Sequence, residues 1–338
     1  MSSSGITADK LYPLKFHPVY QERVWGGTLM AEKLGRVLPQ SGIPIGESWE
    51  LSDRSDVQSV VSNGDLAGVS INELVTSCGK SLLGKRSPVT DKFPLLVKLI
   101  DAGERLSLQV HPDTAASRLI GNGAEPKTEM WYIIDTRPGA KILAGLHSRA
   151  TRLQLTSLLD SPELETLMQV YPSLPGDAYY IPAGTIHAIG AGNLLLEIQQ
   201  NSDTTYRISD WGRVGTDGKP RQLHREEGMK AIHFTNRTNP RIAGAVGKVN
   251  FNRKYDVVTV CPFFKVHDLR LSSRWNDTTS PGDTFHLLSF IHGNAVIEYK
   301  GGQTHVTPGE TVLIPACCGA YTITPEDETG CVAVRTTL

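Results

Sequence analysis

One octet occurs twice in this chain, as Gly176-Asp177-Ala178-Tyr179-Tyr180-Ile181-Pro182-Ala183 and again as Gly309-Glu310-Thr311-Val312-Leu313-Ile314-Pro315-Ala316. Each copy reads G-[DE]-x-x-x-I-P-A. A turn glycine and an acidic residue lead into a short buried strand, which a proline ends because it has no N–H to give the next rung of a ladder. Internal similarity of this kind predicts two copies of one β unit. The copies diverge just downstream: the fifth residue after Pro182 is His187, whereas the fifth after Pro315 is Ala320. Only the first copy supplies an imidazole at that position.

The rest of the chain fits a mainly β reading. Its 32 Gly and 20 Pro punctuate it into short strand-like runs, among them 93–100, 131–134, 178–181 and 194–198. Helical periodicity is confined to three windows, at 71–83, 151–170 and about 222–234. The pattern predicts a double β-barrel with inserted helices. Residues 1–87 form an N-terminal segment packing on the first unit, residues 88–249 the first unit with its helical insertions and a connector from about 222, and residues 250–338 the second unit.

Charge and cysteine usage narrow the function classes. The 34 Lys+Arg against 35 Asp+Glu leave a formal net charge of −1 without a run of like charges, so neither nucleic acid nor an anionic membrane is an expected partner. No stretch approaches the ~18 apolar residues of a membrane span. Five irregularly spaced cysteines, at positions 78, 261, 317, 318 and 331, suggest reduced thiols in a cytoplasmic protein rather than a disulfide framework.

The chemistry concentrates in Ser107-Leu108-Gln109-Val110-His111-Pro112-Asp113. In a strand, side chains alternate, so Ser107, Gln109 and His111 share one face while Leu108 and Val110 take the other. Pro112 ends that strand and opens a loop returning to Glu129, a lone carboxylate at the start of the apolar run Met130-Trp131-Tyr132. With His187, the residues Gln109, His111 and Glu129 make an N/O ligand set for a divalent transition metal; Zn²⁺ suits it, and Fe²⁺, Mn²⁺ or Co²⁺ share these donors. Structural zinc sites are usually closed by thiolates, and no cysteine lies in these motifs, so the expected site is catalytic. His147, His224, His233, His267, His286, His292 and His305 lack such a context and read as structural or surface residues.

With those residues in view, G-D-x-x-x-I-P-x-G-x-x-H resembles the second conserved motif of the cupin superfamily. The stretches 106–113, Lys127-Thr128-Glu129-Met130-Trp131-Tyr132, 181–188 and 197–207, with Arg23-Val24-Trp25-Gly26-Gly27 and Gly46-Glu47-Ser48-Trp49-Glu50, are similar to the type I, zinc-dependent phosphomannose isomerases in their short bacterial form. The resemblance covers most of the chain in order. It implies a double cupin fold, one Zn²⁺ held by Gln109, His111, Glu129 and His187, and a sugar-phosphate substrate. It also implies substrate-site roles for Lys127 and Arg207, with Ser107 and Lys98 as phosphate neighbours. The context of Arg207, Tyr206-Arg207-Ile208-Ser209-Asp210, departs from that of the larger fungal and enteric enzymes, whose long helical insertion this chain lacks.

The implied activity is the interconversion of mannose 6-phosphate and fructose 6-phosphate, or of another hexose phosphate pair. It moves a proton between C1 and C2 through an enediolate, and so needs a base, an electrophile and a phosphate anchor. Glu197, Lys127 with a lowered pKa and a water on the metal are the candidate bases. Lys98 sits amid apolar residues and must be paired, snorkelling or functional. Trp25 and Trp131 are candidates to wall a sugar pocket. A bicupin that binds a sugar phosphate without turnover is the reading from a different class, and a metal-dependent oxygenase is a third, since a fold does not fix a function.

Overall fold

The computed structural model describes residues 5–40, 42–88, 91–215, 218–235, 238–244 and 249–338. Two antiparallel β-sandwich barrels account for most of it. In the first, a seven-stranded sheet runs in the order 241–242, 178–181, 129–136, 193–200, 95–102, 45–51, 19–22, and faces a five-stranded sheet ordered 206–209, 108–110, 187–189, 141–146, 168–172. In the second, a six-stranded sheet (14–15, 311–314, 286–292, 331–337, 265–271, 253–258) faces a four-stranded one (275–278, 320–325, 295–299, 302–306). The mainly β, double cupin expectation holds.

Alternation in the strands sorts their side chains into two packed layers. In the first barrel Ile100, Trp131, Ile133, Tyr179, Ile181 and Leu195 turn inward and fill the space between its sheets. The intervening Leu99, Met130, Tyr132, Leu196 and Ile198 turn outward and share one core with Val266, Leu287, Leu313 and Val334 of the second barrel. The two large sheets are therefore packed back to back, and Tyr132 Oη donates a hydrogen bond across the seam to Asp268 Oδ2 at 2.8 Å. The N-terminal segment adds strands Val19–Glu22 and Ile45–Leu51 to the first barrel, while Leu14–Lys15 pairs with Thr311–Ile314 of the second.

The two octets behave alike. Gly176 and Gly309 both adopt φ 90°, a conformation glycine reaches without strain, and each leads into a strand, Ala178–Ile181 or Thr311–Ile314. Among the helices, Ile71–Leu83 begins at a capping box in which Ser70 and Glu73 each bind the other's backbone N–H.

The other windows are shorter than their periodicity predicts. The 151–170 run is an α-helix only over Arg152–Leu158, followed by a 3₁₀ stretch Pro162–Leu167 and a strand Met168–Pro172 that pairs with Lys141–Leu146. Pro162 disfavours helix at Ser161 and supplies no N–H, so the leucine spacing beyond it serves a sheet edge. The third window narrows to Arg225–Ala231. The connection after Pro112 is not a plain loop: Asp113 caps a helix, Thr114–Ile120, by accepting from Ala116 N at 2.7 Å.

Candidate active site

The first barrel places its polar residues at one end. Strands Leu108–Val110 and His187–Ile189 are neighbours with Gln109 opposite His187, and Arg207 on the next strand lies opposite Gln109 from the other side. Leu108 and Val110 pack into a separate apolar cluster, which leaves Gln109 and the following His111 facing the barrel. Glu129 opens its strand opposite Gln199 and Ile181. The fold thus brings together all four expected ligands.

His111, Glu129 and His187 are buried to 1% exposure or less, and their ligand atoms lie within 4.8 Å of one another. His111 Nε2 is 3.3 Å from Glu129 Oε2, and His187 Nε2 is 3.3 Å from Glu129 Oε1. The Lys127 ammonium, 2.8 Å from Oε2, is the close donor to this carboxylate, while Glu129 Oε1 and His111 Nε2 have no hydrogen-bond partner. The opposite ring nitrogens explain this. His111 Nδ1 meets Thr204 O at 2.8 Å and His187 Nδ1 meets Thr185 O at 2.8 Å. A carbonyl only accepts, so each Nδ1 carries the proton and each Nε2 presents a lone pair. Lone pairs and a carboxylate converging in a buried space fit a divalent cation. Buried polar groups left so would otherwise cost several kcal/mol together, at about 1–3 kcal/mol each.

Gln109 directs its amide nitrogen to His187 Nε2 (3.2 Å), while its oxygen faces Ser107 Oγ (3.3 Å). Without a cation the amide N–H serves the histidine's lone pair; a half-turn of the amide exchanges the two atoms and offers the oxygen as a fourth donor.

Electrostatics keep the set in its ligating form. Burial holds both imidazoles neutral, His111 below its ordinary range and His187 down to about 3. Burial alone would push Glu129 up, but the Lys127 ammonium beside it holds it well below the usual carboxylate range. Lys127 Nζ sits 2.8 Å from Glu129 Oε2, and its pKa is raised because Glu129 and Glu197 outweigh its burial.

Above the triad opens a groove of about 540 Å³, lined by Trp25, Lys98, Ser107, Gln109, Lys127, Glu197 and Arg207, and also by Arg23, Glu47, Asp203 and Arg221. Glu197 is its central acid. Oε1 lies 3.7 Å from Lys98 Nζ and 3.9 Å from Lys127 Nζ, and Oε2 accepts from Trp131 Nε1 at 3.0 Å. Burial, opposed by Lys127 and reinforced by Glu129, raises its pKa. Lys98 meets Glu47 (3.9 Å) and Asp203 (3.6 Å) and lies over the Trp49 ring at 4.6 Å, so it is paired rather than snorkelling. Arg207 donates from Nη1 to Gln222 O at 2.8 Å and leaves Nε without a partner. Asp203 is engaged with Lys98, and Asp210 with Arg221 and Arg213.

Trp25 lines the groove, whereas Trp131 is fully buried behind it, edge-on to His187 and bonded to Glu197. Sequence reasoning did not single out Glu47. Lys98 and Arg23 overcome its burial and bring it down to about 2. The available signal was Lys98 itself, because a lysine within an apolar strand requires a carboxylate from a neighbouring strand, and Trp49 lies opposite it in the ladder.

A triad of two neutral imidazoles and a carboxylate, set at one barrel's polar end under a groove of cations and acids, defines a metal-binding bicupin acting on a small anionic substrate. Residues 13–146 match the family model for the type I phosphomannose isomerase catalytic domain, and residues 254–332 that for the mannose-6-phosphate isomerase cupin domain. Mannose-6-phosphate isomerase ManA of Bacillus subtilis is 42% identical over 313 residues, 91% of this chain and 95% of that protein. Mannose-6-phosphate isomerase of Streptococcus mutans is 32% identical over 304 residues, 90% and 92% respectively. The crystal structure of mannose 6-phosphate isomerase from Bacillus subtilis superposes with a TM-score of 0.84 at 30% identity, covering 97% of this chain and 100% of that one. The chain belongs to the type I phosphomannose isomerases, a metal-dependent family, and is an isomerase of mannose 6-phosphate. The catalytic reading therefore prevails over a bicupin that only binds.

Proposed function

We propose that the isomerase works with one Zn²⁺ held by Gln109, His111, Glu129 and His187, and that Glu197, Lys127 and Arg207 carry out the chemistry above it. The observation that supports the metal assignment is the pair of Nδ1–carbonyl bonds, which aims two Nε2 lone pairs at the Glu129 carboxylate. A Zn²⁺ ion held by that set would supply a Lewis acid for polarising the substrate's oxygens.

The remaining parts belong to the chain. Glu197 is the base: its raised pKa and its place between two ammonium groups in the groove suit a group that takes a proton from C2 and returns it at C1. Lys127, held charged by Glu129, faces the negative charge that develops on the enediolate. Arg207, which lines the groove, offers its guanidinium to the substrate's anionic oxygens, Ser107 and Lys98 supply further donors for the phosphate, and Trp25 walls the sugar.

In this reading residues 88–249 form the catalytic unit, residues 1–87 a segment packed on it, and residues 250–338 a second barrel without the metal ligands. Five free thiols suit a cytoplasmic setting, and no helix among the described residues is long and apolar enough to cross a membrane. The experiment is isomerase activity on mannose 6-phosphate before and after chelation, with metal analysis of the purified protein. Activity that survives complete metal removal defeats the proposal, and so does a stoichiometric metal other than zinc that alone restores turnover.

A further inference from the structure

Resting on the metal-centred reading above, we propose that Arg23 is a further substrate-binding residue that grips the phosphate, and that Glu47 is the positioning residue that aims Arg23 and Lys98 into the groove. Strand order sets up the arrangement. In the seven-stranded sheet Glu129–Thr136 is followed by Asn193–Gln200, Leu95–Ala102, Ile45–Leu51 and Val19–Glu22, each ~4.8 Å from the last. Glu129, Glu197, Lys98 and Glu47 come from successive strands of that series, and Arg23 directly follows the edge strand. Lys98 lies opposite Glu197 on one side and Trp49 on the other, and Glu47, two residues before Trp49, shares its face. A substrate with its reacting carbons near Glu129 and Glu197 therefore carries its far end toward Lys98 and Arg23.

Two features fix the Arg23 side chain. Glu47 takes it side-on, with Arg23 Nε donating to Oε1 at 3.0 Å and Nη2 to Oε2 at 3.2 Å. Beneath it lies Gly46, where a Cβ would come within 2.6 Å of both Arg23 Cβ and Trp25 Cζ3, so the missing side chain is what lets these two groove residues lie against the strand. Arg23 Nη1 also donates to Glu22 O at 3.1 Å. Among the described residues these bonds engage one N–H on each nitrogen, which leaves the second N–H of each Nη for a ligand. The side chain is 32% exposed and lines the groove, so these donors are reachable.

Charge names the ligand group. Arg23, Arg207 and Arg221 line one groove, and they crowd one another: burial and the guanidinium groups of Arg221, Arg213 and Arg23, opposed by Asp210, lower the pKa of Arg207. Like charges gathered around an open space are relieved by an anion, and a planar fork with two outward N–H groups matches phosphate oxygens. Glu47 is the hub of the cationic end. Despite its burial it is brought down to about 2 and stays a carboxylate, and besides Arg23 it meets Trp49 Nε1 at 2.8 Å and Lys98 Nζ at 3.9 Å. One side chain thus sets the direction of two cations that come from different strands.

The full, metal-loaded chain serves for the test. Arg23→Gln should raise KM for mannose 6-phosphate ~10-fold or more, and the inhibition constant of inorganic phosphate in parallel, with kcat within ~3-fold of the parent and metal content unchanged. Arg23→Lys keeps the charge but not the fork, so it should recover only part of the loss, and it gives the same readout should Arg23→Gln fold poorly. Glu47→Gln separates two roles by sign. A carboxylate that only balances charge would, once removed, leave the groove more positive and tighten phosphate binding. A carboxylate that aims Arg23 and Lys98 would weaken it, and we expect KM and the phosphate inhibition constant to rise ~3–10-fold. Unchanged KM and inhibition constant in both Arg23 variants, a loss confined to kcat, or tighter phosphate binding by Glu47→Gln would overturn the inference. Failure of the metal-centred reading would show separately, as turnover by the metal-free parent.

Discussion

Lys127 Nζ stands 2.8 Å from Glu129 Oε2, so a buried cation is fixed directly beside the carboxylate that faces the metal centre. The ammonium reaches the groove as well, lining it together with Glu197. One side chain therefore touches both the ligand shell and the space for substrate. Lys127→Met should retain metal, because Glu129 keeps its charge, while kcat on mannose 6-phosphate falls ~10²-fold or more with little change in KM. Loss of metal in this variant would mean that Lys127 only orients Glu129.

Removing a ligand separates the metal centre from other histidines. His187→Ala should lose bound metal and turnover together, by at least ~100-fold in each. His305→Ala, on an exposed strand beside Glu326, should lose neither. Paired metal analysis and steady-state assays read this directly, and the opposite pattern would refute the assignment.

Glu197→Gln keeps an acceptor for Trp131 Nε1 and nearly the same volume, but it cannot take a proton. We expect full metal occupancy and a fall in kcat of ~10²–10⁴-fold. Exchange of the C2 hydrogen with solvent should fall in parallel. Exchange that persists at the parent rate would move the base to another group.

Asp101 gives a pH signature away from the metal. It is 1% exposed and accepts from Met30 N at 2.7 Å, and burial pushes it up to about 6. In the unfolded chain it titrates near ~3.9. The folded value is the higher one, so the ionised form is disfavoured in the native state and this term's stability grows as pH falls from above 6 toward 4. Asp101→Asn, which keeps the acceptor, should be more stable than the parent at pH 7 by up to about 3 kcal/mol, with the gap closing toward pH 4. Denaturant unfolding across that range checks it; a gap that does not change with pH would exclude the linkage.

Much of this arrangement was legible in the residues. The octets, the strand alternation of Gln109 and His111, and the isolated Glu129 and His187 each carry local information, and local information survives in a single sequence. Other features depend on which strand becomes whose neighbour. Glu47 joins the site only because its strand lies beside that of Lys98. The leucine spacing over 151–170 suggested one long helix, and only the pairing of Met168–Pro172 with Lys141–Leu146 shows why it stops.

Strand Glu129–Thr136 alternates between two duties, with Glu129 and Trp131 turned toward the metal centre while Met130 and Tyr132 are turned toward the second barrel. Catalysis and assembly are thus written on the odd and even positions of a single ribbon. A one-residue slip would exchange them wholesale, bringing Thr128 or Met130 to the metal-facing position and turning the Glu129 carboxylate to the apolar side. Transplanting the centre into another scaffold would therefore require carrying over a backing for the even positions, and the first barrel is not a detachable module.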